Sequence, residues 1–162
     1  MTLWLSIDRC TDLNTPDDEH IHQCVQVALE TEAVLALSDP ELSIRITDRD
    51  EAALFNETYR GKLGPTNVLS FAANPPPEAK SGLLGDIVIC APLVAEEARQ
   101  QGKDEQAHWA HLIVHGVLHL LGYDHQNEPD AEQMEGLETA ALARLGFADP
   151  YCVDATSESA YS

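Results

Sequence analysis

Three histidines in the run His115-Gly116-Val117-Leu118-His119-Leu120-Leu121-Gly122-Tyr123-Asp124-His125 stand at spacings that suit one divalent metal ion. His115 and His119 are four residues apart, which on a helix places both imidazoles on one face, one turn from each other. Gly122 tolerates the left-handed conformation in which helices commonly end, so the chain can double back there and bring His125 to the same point. Three neutral imidazoles with a position left open for water describe a catalytic zinc site. A histidine pair at this spacing is also compatible with ordinary core or surface roles. The third histidine, set after a helix stop, is what argues for a metal. Zinc suits such ligands well, and copper and nickel accept them too.

The same skeleton underlies the metzincin protease signature HExxHxxGxxH, with one change: Gly116 stands where those proteases carry the Glu that acts as general base. A site without it can still bind zinc and acidify water, but it lacks the usual route for a proton to a peptide nitrogen. The reading therefore turns away from proteolysis, and restoring the carboxylate as Gly116→Glu is expected to matter only for a site that handles peptides. Asp124 could replace it, or cap the turn, or orient an imidazole. Asp86 is a second carboxylate whose simpler reading is a turn residue.

Arg60 and Lys62 flank Gly61 in a Gly/Pro loop running from Tyr59 to Asn67. They are two of only nine Lys and Arg residues, and they form either a local anion site or a solvated surface pair. Arginine's planar fork suits phosphate. A metal together with a phosphate-binding arginine would describe phosphodiester cleavage. Spacing alone does not bring Arg60 to the histidines.

The remaining chain must position these groups. Its 162 residues suggest one domain, residues 1–151, with a polar tail over 152–162 that is expected to be disordered. No apolar run approaches a membrane span, and the alternation in residues 1–10 is unlike a signal-peptide core, so a soluble, cytoplasmic protein without a membrane partner is expected. The net charge of −19 argues against indiscriminate binding to nucleic acid but leaves room for a small basic site. Cys10, Cys24, Cys90 and Cys152 form no CxxC pair and read as reduced, mostly buried thiols.

Hydrophobic periodicity predicts strands over residues 3–9, 41–47, 68–71 and 83–90. Helices are predicted over 19–37, through 54–59, from Pro92 to Gln101, over 105–121 and from Pro129 to Leu145, with caps at Asp17 or Asp18, Asp48 or Asp50, and Asp104. The order strand, helix, strand, helix, two strands, three helices describes an α+β domain: a small mixed sheet with packed helices and the metal helix in its core. His108 and His111 share the stripe of His115 and His119; solvent exposure or hydrogen bonding behind the metal ligands is favoured over ligation. His20 and His22 are expected to face solvent.

The histidine run resembles the signature of the YbeY family of bacterial endoribonucleases and rRNA maturation factors. Three further blocks resemble that family in the same order: Asn56-Glu57-Thr58-Tyr59-Arg60-Gly61-Lys62, Pro65-Thr66-Asn67-Val68-Leu69-Ser70-Phe71, and Leu84-Gly85-Asp86-Ile87-Val88-Ile89-Cys90. The similarity spans roughly residues 1–151. The resemblance implies a zincin-like fold and one divalent metal, expected to be Zn2+, on His115, His119 and His125, with catalytic roles for Arg60 and His115. It implies single-strand-specific RNA cleavage in 16S rRNA 3′-end processing and ribosome quality control. Its expected partners are single-stranded rRNA, the small ribosomal subunit and associated assembly factors, and not DNA. Many members carry Asp where Asn67 stands, a difference that touches loop hydrogen bonding. Two other functions stay open at this point: a non-catalytic ribosome-assembly factor with a structural metal, and a metalloprotease-like zinc hydrolase.

Overall fold

The computed structural model describes residues 2–31, 39–79, 81–124 and 126–151. His125, Cys152, the 152–162 tail and the end of the first predicted helix lie outside the described residues. Four strands, β1 (Trp4–Cys10), β2 (Glu41–Thr47), β3 (Val68–Ala72) and β4 (Leu83–Cys90), form one sheet in the order β1-β2-β4-β3. The first two pairings are parallel and β3 runs antiparallel to β4, so the sheet is mixed as expected. The described helices are α1 (Asp18–Glu30), α2 (Arg49–Arg60), α3 (Ala91–Gln101), α4 (Glu105–Leu120) and α5 (Glu128–Arg144), and a 3-10 turn covers Pro77–Ala79. No helix among the described residues is long and apolar enough to cross a membrane.

Local chemistry explains most boundaries. Asp17, Asp104 and Asn127 each accept a backbone N–H of the following first turn, at His20, Gln106 and Asp130. Asp48 occupies the N-cap of α2 without capping it, because its carboxylate accepts the Thr11 hydroxyl instead. The short helix expected around Leu54 is a full one of 12 residues, stopped by Gly61 in the left-handed region.

Strand alternation divides the sheet into two faces. Leu42, Ile44, Ile46, Ile87 and Ile89 point to the face covered by α1 and α4, where they join Val114, Val117 and Leu118 in the main core. Helix α4 is apolar on nearly every side and lies in the middle, between the sheet, α1 and α5. It lies close against the sheet at Gly116. A Cβ there would lie 3.1 Å from two carbons of Ile87 and 3.3 Å from the Ser70 hydroxyl. A mid-helix glycine costs about 1 kcal/mol relative to alanine, and here the missing side chain is what lets α4 sit on β4.

That contact changes the meaning of Gly116. A glutamate at 116 would not restore a protease-like base, because it would be driven into Ile87 and Ser70. Gly116→Glu is expected to destabilise the fold by about 3 kcal/mol through overpacking and burial of a carboxylate, whatever substrate the site handles. Chemical denaturation of the variant beside wild type measures this.

Candidate functional site

The expected histidine pair meets at the C-terminal end of α4. The His115 and His119 ε-nitrogens face each other at 3.1 Å. Tetrahedral metal bonds of about 2.0–2.1 Å hold two ligand nitrogens a little over 3 Å apart, so this pair fits a single metal ion. Gly122 then stops the helix as expected. It adopts φ +101°, its N–H reaches the His119 carbonyl at 3.0 Å, and the Tyr123 N–H reaches Leu118 at 3.1 Å. The turn sends Tyr123 and Asp124 along the wall of a cleft of about 650 Å³ that also contains His115 and His119.

Arg60 and Lys62 line that same cleft, which joins two groups that spacing could not connect. Arg60 comes from the last turn of α2. Asn56, buried in the same helix, donates to the Gly64 carbonyl at 2.8 Å and so pins the Gly/Pro loop back onto α2. The Arg60 guanidinium donates to the Ser70 carbonyl at 2.5 Å and stands 5.0 Å over the Phe71 ring. No carboxylate lies within salt-bridge distance of it among the described residues, so its charge is available to an anion. Asp124 lines the cleft as well. Asp86 does not: it lies within β4 on the opposite face, accepting the Ser43 hydroxyl.

The sequence reading did not single out Glu138. This α5 residue is fully buried beside Met134, Ala141 and Leu142. Its Oε1 accepts Nδ1–H of His115 at 2.5 Å, its Oε2 accepts Nε2–H of His111 at 3.2 Å, and the Tyr151 hydroxyl donates to it. The bond to Nδ1 leaves the Nε2 lone pair of a neutral His115 pointing into the cleft, the arrangement carboxylate–histidine–metal triads use. Burial would raise the Glu138 carboxyl, but hydrogen bonds from His111 and His115 outweigh it and hold the group at about 2. Burial pulls His111 below its ordinary value, more than Glu138 raises it. The sequence signal for Glu138 was a carboxylate at a helical spacing inside the apolar stripe Met134, Leu137, Ala141, Leu142.

His108 and His111 are buried, so solvent exposure is observed for neither; His111 hydrogen-bonds behind the pair through Glu138, and His108 hydrogen-bonds to Glu97 instead. His108 meets Glu97 at 2.9 Å, and Glu97 accepts from the Asn67 side chain at 3.1 Å. Asn67 also accepts the Val68 N–H at 2.7 Å, which ties the start of β3 to α3 and α4. An Asp at 67 would lack the N–H that Glu97 accepts. His22 is exposed, whereas His20 is half-buried against Phe147, with ring centroids 6.3 Å apart.

Both His111 and Glu138 have folded pKa values below their unfolded ones, so the unfolded chain binds more protons and stability is lost as pH is lowered. In metal-free protein the His111 share is expected to be lost as pH drops below its unfolded value of 6.5, and the Glu138 share between 4.5 and about 2. Thermal unfolding across that range measures the fall, and Glu138→Gln is expected to remove its lower part.

A family model described as Endoribonuclease YbeY matches residues 8–146. Among curated proteins, Endoribonuclease YbeY of Cellvibrio japonicus (strain Ueda107) is 52% identical over 136 residues, covering 84% of this chain and 75% of the relative. That of Pseudomonas putida (strain W619) is 50% identical over 153 residues, covering 94% and 95%. That of Pseudomonas entomophila (strain L48) is 48% identical over 155 residues, covering 95% and 96%. The solution structure of TM1509 from Thermotoga maritima superposes with a TM-score of 0.53 at 21% identity, covering 90% of this chain and 97% of its own, a likeness of fold.

Proposed function

The chain belongs to the YbeY endoribonuclease family, and on that footing we propose that it cuts single-stranded RNA in 16S rRNA 3′-end processing and in ribosome quality control. The family is one of metal-dependent nucleases. His115, His119 and His125 would hold the metal, which we take to be zinc because imidazole ligands suit it. The fold is read as zincin-like, a mixed sheet carrying an HxxxH helix. Single-stranded rRNA is the substrate, with the small ribosomal subunit and its assembly factors as partners. The cytoplasm, where rRNA is processed, is the expected location.

The observation that carries this reading is the meeting of Arg60 with His115 and His119 in one cleft. A divalent metal bound there supplies Lewis-acid chemistry, lowering the pKa of water and polarising a phosphoryl oxygen. Arg60 holds a non-bridging phosphate oxygen and stabilises the charge that grows on it during cleavage. Its bond to the Ser70 carbonyl fixes one edge of the guanidinium and leaves the others for the substrate. His115 is oriented by Glu138 and presents Nε2 to the cleft. Lys62, on the same rim, adds a second positive charge where the chain is otherwise acidic. A protease reading has no support from position 116, where a carboxylate has no room.

Cleavage of a single-stranded rRNA 3′-end fragment tests the proposal. Arg60→Ala is expected to lower the rate by roughly 10²–10³-fold with metal content and melting temperature unchanged. Equal cleavage by both proteins, or by neither, would remove the nuclease assignment and leave a ribosome-assembly role with a structural metal. Glu138→Gln is expected to weaken metal affinity by about 10–100-fold, measured by competition with a chelator; unchanged affinity would remove Glu138 from the support of His115.

A further inference from the structure

The histidine cleft leaves an aromatic cluster unexplained. Alternation along β3 turns Ser70 toward α4, where it donates to the Gly116 carbonyl at 3.1 Å, and turns Phe71 to the other face. There Phe71 meets two rings of α2. Phe55 and Tyr59 stack with centroids 6.0 Å apart and 23° between planes, and Tyr59 meets Phe71 edge to face at 5.4 Å. With Ser43, Arg45 and Asp86, these rings line a groove of about 360 Å³ between α2 and the sheet. Three mutually packed aromatics usually seal a core, but here Tyr59 is 62% exposed.

The groove and the cleft lie on either side of β3 and come together at the end of α2. Tyr59 and Arg60 are adjacent residues in the last turn of α2. Tyr59 faces the groove, while Arg60 lines the cleft and reaches over Phe71, which lines the groove. A phosphate at Arg60 would therefore place the next unit of a polynucleotide beside Tyr59.

We infer that this groove is a nucleobase site, taking a base of the single-stranded RNA next to the phosphate held at Arg60 and stacking it on the exposed Tyr59 ring. The inference rests on the endoribonuclease reading and adds a subsite to it. Charge favours a base over a second phosphate. Asp86 is exposed on the far wall, and the Arg45 charge is already met by Asp8 and Glu51. A neutral heterocycle is not repelled there, and the free oxygen of Asp86 suits an exocyclic amine. The size also fits, since the groove is near the lower end of ligand pockets, which run from about 300 to 1,000 Å³. Stacking supplies affinity without cations, which a chain of net charge −19 needs in order to hold RNA. It also requires an unstacked, unpaired base, which a duplex does not present.

The test uses a single-stranded oligoribonucleotide carrying 2-aminopurine beside the scissile phosphate, whose fluorescence is quenched when the base stacks. Binding is measured in EDTA and cleavage with metal restored, for the full-length wild type, Tyr59→Phe, Tyr59→Leu and Tyr59→Ala. The expected result is quenching and affinity kept in Tyr59→Phe but weakened about tenfold in Tyr59→Leu and Tyr59→Ala, with an abasic nucleotide at that position abolishing the difference. Tyr59→Leu keeps apolar bulk, so a loss there reports the ring face and not the packing of α2. Cleavage by wild type with undiminished binding and cleavage in Tyr59→Ala overturns the base site and leaves the nuclease standing; the groove would then be free for a protein partner. Tyr59-dependent quenching without cleavage keeps the base site and overturns the nuclease reading. Neither binding nor cleavage by wild type overturns both.

Discussion

A carboxylate with no access to water must be held by donors, and Glu138 is such a group at the centre of this molecule. Its oxygens take Nδ1 of His115, Nε2 of His111 and the Tyr151 hydroxyl. Removing one partner from a buried charged network of this kind costs about 3–5 kcal/mol, so the network locks α5 and the segment after it onto α4. The same hydrogen bond decides which nitrogen of His115 faces the cleft. Packing of the C-terminal part of the chain and orientation of the functional imidazole thus depend on one buried group.

Helix α4 faces two demands. On the α5 side it must present a line of histidines to a carboxylate. On the sheet side it must lie close enough for Ser70 to reach the Gly116 carbonyl at 3.1 Å. Gly116 meets the second demand by having no side chain to collide with Ile87. Strand β3 carries that closeness to the opposite face, because Phe71 follows Ser70 and supports Arg60 and the α2 rings. Two cavities, one around the histidines and one around the aromatics, are therefore separated only by the thickness of a strand.

Electrostatics explains why the few cations do not form a broad basic surface. Arg9, Arg45, Arg49 and Arg144 each meet a carboxylate. Exposed pairs of this kind add little stability, but they neutralise the charge where it stands. Arg60 is held by a carbonyl and an aromatic face, which position a guanidinium without cancelling its charge. An acidic chain can in this way keep one concentrated positive site beside a histidine cluster.

Much of the fold was legible because its determinants are local. The strand patterns marked β2 and β4 residue for residue, caps at Asp17 and Asp104 and the proline at 129 marked helix starts, and Gly122 marked the turn after His119. The i, i+4 spacing of His115 and His119 was enough to place two imidazoles together, since a helix has only one way to arrange them. Other features depend on contacts between residues far apart in the chain. The meeting of Arg60 with the histidines depends on β3 running antiparallel at the sheet edge. Glu138 becomes the partner of His115 only when α5 packs against α4, and Gly116 becomes a close contact only when Ile87 faces it. The sequence by itself determined the elements and the histidine pair, because periodicity and capping act within a few residues. The tertiary structure alone decided which charges are buried, which stay available and which side chains share a cleft, because those follow from how distant segments pack.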